Sequence, residues 1–316
     1  MSRTALEECR AAARAKNSPK VAFVTLLTKV SYLAGALVLD LGLKDAKSKY
    51  PFVVMVTPEL PQEGRDVLQI RGIHMREIQA LHPEEGRHTL STADARFHDT
   101  WTKAFELTEF DRVVLLDSDM VVKKNMDDLM EMPLLPGGIA AVHACACNPR
   151  KLPHYPADWI PENCAFTAVA SPTSPSPTPS DNPRAYGLLN SGLVVLEPST
   201  ELAKNLYHFL ATDERIPTFI FPDQDLLAIF FREKWTSLPW YYNALRTLRN
   251  IHPLLWEDDV AKCVHYILSD KPWQVRESKE FALVNSWWWA QYNKLAEQLQ
   301  AEDVDSWKLV SSTVAA

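Results

Sequence analysis

Asp117 and Asp119 stand two residues apart where an apolar run ends. The run, Val113 to Leu116, contains neither Gly nor Pro and reads as a strand buried on both faces; Met120-Val-Val122 then resumes it. A carboxylate pair at such a strand end is costly unless something cationic neutralises it. Oxygen donors in this arrangement suit a hard divalent cation, Mg²⁺ or Mn²⁺, which can in turn hold a diphosphate. The plainer reading is a strand-end turn, with one Asp capping the next helix and the other solvated.

Other residues could complete a site. His265 lies at the end of an expected strand, Lys262 to Ile267, and offers a neutral nitrogen that Mn²⁺ tolerates better than Mg²⁺ does. Its plain alternative is an internal hydrogen-bonded histidine. Lys271, six residues on, could meet a phosphate as a point charge or simply be a solvated lysine. Pro222-Asp-Gln-Asp225 opens an apolar helix. Asp223 is then either its N-cap or, with Gln224, a group beside the reacting centre. Asn190-Ser191-Gly192 combines an amide with a close backbone approach, suited to sugar hydroxyls or to a plain turn. His143, Cys145, Cys147, His154 and Cys164 invite a zinc reading, but C-x-C with a distant lone Cys is not a recognised closed-site spacing. Trp287-Trp-Trp289 reads as helix–core packing rather than a sugar platform.

The elements that must position these residues alternate. Strands are expected at Val21–Leu27, Phe52–Val56, Ile73–Ile78 and Val113–Asp117, with helices over Ser31–Leu43, Gln62–Gly72 and Ala93–Leu107 between them. Gly42 stands near the end of the first of these helices. Short joins between alternating strands and helices mean an α/β fold, a mostly parallel doubly wound sheet with right-handed crossovers. Ligands bind such sheets at the carboxyl ends of the strands, where the Asp pair lies. The second half is less regular. It has strands at Ile139–His143 and Leu188–Leu196, helices at Ser199–Leu210 and Pro222–Phe231, and a C-terminal helix from Phe281 to Gln298, within 279–300. Between them, 145–187 is a long connection whose Pro/Ser-rich centre, 171–179, can be neither strand nor helix and reads as a mobile loop or insertion. No linker splits the chain, so 1–316 is one domain with an N-terminal extension over 1–18.

Composition narrows the function. A net charge of −7 without a Lys/Arg run argues against a nucleic-acid partner. Five scattered cysteines are not a disulfide framework and point to a reducing compartment. The first twenty residues lack an apolar core, and no window approaches the ~18 apolar residues of a membrane span. A cytoplasmic protein without a membrane partner is expected. No Gly-x-Gly-x-x-Gly follows the first strand and no P-loop motif occurs, so a glycine-rich loop does not hold the phosphates.

In order along the chain, the motifs resemble family 8 glycosyltransferases, the group containing glycogenin and plant galactinol synthase. The matching stretches are Ala22 to Leu26, Tyr32, Gly35 to Leu39, Thr102-Lys103, Asp117-Ser-Asp119, Asn125 to Leu129, Asn190-Ser-Gly192 running to Glu197-Pro198, Asp223 to Leu227, and His265 to Trp273. The galactinol synthase branch is nearest, through Cys145-Ala-Cys147, Phe230-Phe-Arg232 and the Trp-rich helix. The insertion at 171–179 and Leu268-Ser269, where family members tend to have Gly, depart from it.

The resemblance implies a GT-A fold, a UDP-sugar donor (UDP-galactose or UDP-glucose), Mn²⁺ with Mg²⁺ as the other candidate, and retention of anomeric configuration. Position by position, it implies metal ligation by Asp117, Asp119 and His265. It places Tyr32, Thr25 and Leu26 at the base, Ser118 beside the donor, Lys103 and Lys271 on sugar–phosphate and diphosphate, and Asn190, Ser191, Gly192, Asp223 and Gln224 around the donor sugar. The expected acceptor is a small polyol or glycan, such as myo-inositol, and a homodimer is the assembly to test for. Alternatives remain at this point. One is a glycogenin-like self-glucosylating or protein/glycan-directed transferase, using UDP-glucose or UDP-GlcNAc, although no tyrosine lies between Asn243 and Val264 to receive glucose. Others are a haloacid dehalogenase-type phosphatase, whose Asp-x-Asp normally opens the domain, and a non-catalytic sugar-nucleotide-binding module.

Overall fold

The computed structural model describes residues 20–81, 100–179 and 184–315. The extension at 1–18 and the start of the helix expected from Ala93 lie outside them.

The strands of the first half form as the β-branched runs require. β1 (Val21–Leu27) is followed by α1 (Leu33–Asp45), β2 (Phe52–Val56), α2 (Gln62–Ile70), β3 (His74–Glu77), β4 (Arg112–Leu116) and a short β5 (Met120–Val122). β6 (Ile139–His143) and β7 (Leu189–Leu196) flank the long connection. Then come α3 (Thr200–Thr212), α4 (Pro222–Phe230), β8 (Trp235–Ser237), β9 (Ala244–Leu245), a single-turn α5 (Leu248–Ile251), β10 (Cys263–His265), α6 (Ala282–Glu302) and α7 (Val304–Ser312).

Seven strands form one sheet in the order β3-β2-β1-β4-β7-β6-β8. Its first four strands are parallel, as expected of a doubly wound half. β7 then enters antiparallel between β4 and β6, with an irregularity at Ala141/Val142 opposite the Asn190 end of the strand. β1, β2, β4 and β6 are buried almost throughout, which is why they read as continuous apolar runs rather than alternating ones. A second sheet, β5-β10-β9, pairs the apolar run that resumes after the Asp pair with the strand expected at Lys262 to Ile267, and only the two-residue β9 is too short to show in the sequence.

Gly42 lies near the end of α1, as expected, three residues before Asp45. A Cβ there would stand 2.9 Å from the Val122 carbonyl oxygen, and one on Gly35 would stand 2.3 Å from the Ser118 carbonyl oxygen. The two glycines, seven residues apart, let α1 lie directly on the backbone that runs from Ser118 in the acidic motif through β5. The Pro/Ser-rich segment, expected to be mobile, is docked. The Pro177 carbonyl accepts from Ser237 Oγ at 2.5 Å and stands 3.0 Å from His143 Nε2, and the Pro172 carbonyl accepts from Trp240 Nε1 at 3.0 Å. Proline cannot donate, but its carbonyl is a strong acceptor, and the buried His143 and Trp240 and the half-buried Ser237 need one. Trp288 is fully buried and stacks on Tyr292, while Trp287 packs against Lys123, as core packing requires. Among the described residues, no helix is long and apolar enough to cross a membrane.

Candidate active site

Asp117 and Asp119 sit at the carboxyl end of β4, and pairing in the small sheet brings the third candidate ligand, His265, beside them. β10 runs antiparallel to β5, with His265 opposite Met120, and Tyr266 N–H donates to the Asp119 carbonyl at 2.9 Å. His265 Nε2 therefore lies 3.2 Å from Asp119 Oδ1 and 3.6 Å from Asp117 Oδ2. One ligand atom from each residue lies within 4.8 Å of the other two. Lys271, 152 residues after Asp119, places its ammonium 2.5 Å from Asp119 Oδ2 and donates to the Tyr266 carbonyl at 2.9 Å.

The charges do not balance without a further cation. Burial pushes the Asp117 carboxyl up, and the negative charge of Asp119 adds to that effect. Burial acts on Asp119 in the same direction, but Lys271 and then His265 outweigh it and hold that carboxyl below the usual range. One lysine thus satisfies one carboxylate and leaves its neighbour poorly neutralised. Two carboxylates and one imidazole facing a cavity form a donor set that fits Mn²⁺ or Mg²⁺, and the Lys271 ammonium already occupies a cation's place on Asp119.

The histidine is oriented by residues that sequence reasoning missed. Its Nδ1 lies 3.0 Å from Asn243 Oδ1. Asn243 Nδ2 donates to Asn190 Oδ1 at 2.7 Å, and Asn190 Nδ2 donates to Gln224 Oε1 at 3.2 Å. Because Asn243 spends its amide hydrogens on Asn190, its oxygen must accept, so the proton is on His265 Nδ1. Nε2 is left facing the two carboxylates, to which it donates when it carries a proton and beside which it can ligate a cation when it does not. Asn243 is fully buried just before β9, which pairs in parallel with β10. No local sequence signal marks it. Trp101 is a second such partner, its Nε1 donating to Asp117 Oδ1 at 3.2 Å.

These groups line a cavity of about 520 Å³. Of the expected residues, Leu26, Tyr32, Asp117, Ser118, Asp119, Asn190, Gln224, His265 and Lys271 are on its wall. Tyr32 stands edge-on to Trp273 with ring centroids 5.3 Å apart, and the Ser118 hydroxyl donates to the Leu26 carbonyl at 3.2 Å. The other five are placed behind or away from the wall. Thr25 is buried on β1, its hydroxyl without a hydrogen-bond partner among the described residues. Ser191 donates to Asp223 Oδ2 at 2.5 Å. Asp223 is not the cap of α4: the helix starts at Pro222, and the Asp225 carboxylate reaches back to accept from the Ile220 and Phe221 amides at 2.8 and 2.9 Å. Gly192 lies under the imidazole, where a Cβ would meet His265 Cε1 at 2.3 Å, so its close approach serves the histidine. Lys103 pairs with Glu106 at 3.0 Å and lies over the Tyr207 ring, off the cavity wall. The wall gains Thr28 and Lys29 after β1, and an aromatic group of Tyr155, Trp159 and Phe221. Trp159 and Phe221 stack with centroids 5.2 Å apart.

A cavity at the carboxyl ends of β1 and β4, floored by two aspartates, a histidine and a lysine, can hold a diphosphate through a cation and neutralise it as it leaves. Residues 23–276 match the family described as Glycosyl transferase family 8. The chain belongs to that family. It is 30% identical to galactinol synthase 2 of Arabidopsis thaliana over 285 residues, covering 87% of this chain and 82% of the relative. It is 28% identical to galactinol synthase 1 of Ajuga reptans over 297 residues, covering 90% and 84%. Among solved structures, the glycosyltransferase GlyE of Streptococcus pneumoniae TIGR4 superposes with a TM-score of 0.57 at 18% identity, over 91% of this chain and 64% of that one. The galactosyltransferase LgtC, solved with donor and acceptor sugar analogs, gives 0.57 at 15% identity, over 89% and 99%. At those identities the superpositions establish the GT-A fold. Family membership makes this chain a retaining glycosyltransferase of the UDP-sugar-using kind, and the phosphatase reading of the Asp-x-Asp motif falls away.

Proposed function

We propose that this family 8 enzyme moves a hexose from UDP-galactose or UDP-glucose to a hydroxyl of a small cyclitol such as myo-inositol, in the cytoplasm. The observation that carries the reading is the convergence of Asp117, Asp119, His265 and Lys271 at the floor of one cavity. When bound there, a divalent cation, Mn²⁺ by preference, supplies positive charge against the diphosphate. The ligands would be Asp117, Asp119 and His265 Nε2, with Asn243 fixing the imidazole's proton on the other nitrogen. Lys271 brings a second cation to the leaving group, where the negative charge of bond cleavage develops. Leu26 and Tyr32 suit a uracil face, and Asn190 and Gln224, already joined by a hydrogen bond, present amide groups to the sugar hydroxyls. Asp223, with its carboxylate engaged by Ser191 and off the cavity wall, is poorly placed as a nucleophile. That favours a front-face route in which a departing phosphate oxygen takes the acceptor's proton and no protein base is needed. The Tyr155–Trp159–Phe221 group offers ring faces to the C–H face of a cyclitol. The relatives named galactinol synthase support a cyclitol acceptor.

The test is a donor-by-acceptor screen with Mn²⁺ that reads UDP release with and without myo-inositol. Release stimulated by the cyclitol, with an α-configured product from an α-configured donor, is the expected result. Release that is indifferent to every polyol but modifies the protein itself would instead make the enzyme self-glycosylating.

A further inference from the structure

Away from the acidic pair, Cys145, Cys147 and Cys164 converge on His252, whose Nε2 lies 3.6, 3.2 and 3.7 Å from the three sulfurs. One ligand atom from each of the four lies within 4.8 Å of the others. We propose that these four residues hold a structural Zn²⁺ that clips the long connection after β6 to the body of the enzyme.

The geometry is that of a tetrahedron waiting to be centred. Zn–S bonds of about 2.3 Å and a Zn–N bond of about 2.0 Å at tetrahedral angles give N···S edges of roughly 3.5 Å. The three observed N···S distances bracket that edge. Hydrogen bonding alone is a poorer account, because one ring nitrogen can serve one sulfur well, not three. A disulfide is not formed either: all three cysteines are free. Soft thiolates with one imidazole select zinc over Mg²⁺ or Mn²⁺, and four protein ligands leave no open position, which marks a structural rather than a catalytic ion. Binding displaces the thiol protons to solvent, so no oxidant or reductant is involved.

The ligands come from three places. Cys145 and Cys147 leave the end of β6, Cys164 sits between two short 3-10 turns, and His252 ends α5. Phe166 packs edge-on to the His252 ring. His143 and His154 take no part: the first stands against the Pro177 carbonyl, and the second packs on Tyr155. Cys145, Tyr155 and Trp159 also line the cavity of the acidic pair, so the ion would fix one wall of the active site without touching the reacting atoms.

The experiment uses the full chain, purified without chelator, and counts metal and thiols. One zinc per chain is expected, retained through dialysis against EDTA and released by a mercurial. All five cysteines should titrate as thiols after denaturation in chelator. Cys147→Ser and His252→Ala should each lower zinc content by at least about tenfold. Where a variant fails to fold, Co²⁺ reconstitution of the wild-type chain decides. The intense visible bands of tetrahedral Co²⁺ with thiolate charge transfer support the site. A protein that takes up no zinc on reconstitution, shows no cobalt–thiolate band, or contains a disulfide among the three overturns it.

Discussion

Two side-chain clusters in this molecule could hold a metal, and they are built on opposite plans. Asp117, Asp119 and His265 offer hard oxygens and one nitrogen, are open on one side to a cavity, and carry a competing lysine. Cys145, Cys147, Cys164 and His252 offer soft sulfur and close around their centre. On the proposed function, a cation held by the first arrangement would have to exchange, since it would work only with a diphosphate that arrives and leaves. The second holds a chain segment in place and does better never exchanging. Ligand softness and the presence of an open position, rather than burial, separate the two roles.

The largest expected effect tests the acidic centre alone. Asp119→Ala should reduce transfer by at least on the order of a thousandfold, because it removes a metal ligand and the partner of Lys271 together. Zinc content should stay at one per chain. Wild-type Mn²⁺-dependent UDP affinity in this variant, by calorimetry, would remove Asp119 from the metal site. Lys271→Ala comes next. A loss of roughly a hundredfold in kcat with a much smaller change in KM is expected, since the charge it meets develops during bond cleavage. Equal changes in both would make it a ground-state contact.

Two smaller effects sharpen the contrast. Gly192→Ala places a methyl group where His265 now lies and should weaken Mn²⁺ binding by about 10- to 100-fold, read by titration of bound Mn²⁺. Asn243→Leu frees the His265 Nδ1 proton from its acceptor and should cost about tenfold in the same assay. If either variant lost zinc instead, the two centres would not be independent. Last, brief EDTA treatment should abolish transfer, reversibly with Mn²⁺, while moving the melting temperature by no more than about a degree or two. A large fall in melting temperature under EDTA would mean that the acidic centre, too, holds the fold together.

The parts of the site that lie on long regular strands were readable in advance. Asp117 and Asp119 announced themselves because a buried apolar strand that ends in two charges has few inexpensive explanations. The strand–helix alternation up to β3 followed from apolar runs and their spacing, whereas the described end of the helix expected before β4 is mostly a 3-10 segment. What stayed hidden lies on short or irregular backbone. Asn243 precedes a two-residue strand and Trp101 precedes a single 3-10 segment, and neither has a periodic signal. The Pro/Ser segment looked free because proline cannot join a ladder, yet its carbonyls serve His143, Ser237 and Trp240. Lys103 matched its motif but faces Glu106 and Tyr207.

By itself, the sequence determined which residues of this family 8 enzyme could bind a hard cation and that a parallel sheet would carry them, because both depend on residue type and local period. The resemblance already put His265 with the aspartates, but only the tertiary structure brought each cluster together and put His252 with the cysteines. His265 joins the aspartates through the register of β10 on β5, and His252 joins the cysteines from the end of α5, 88 residues after Cys164. Ligand identity is chemical and local, whereas ligand grouping depends on where distant, short segments are docked. No spacing rule spans that distance.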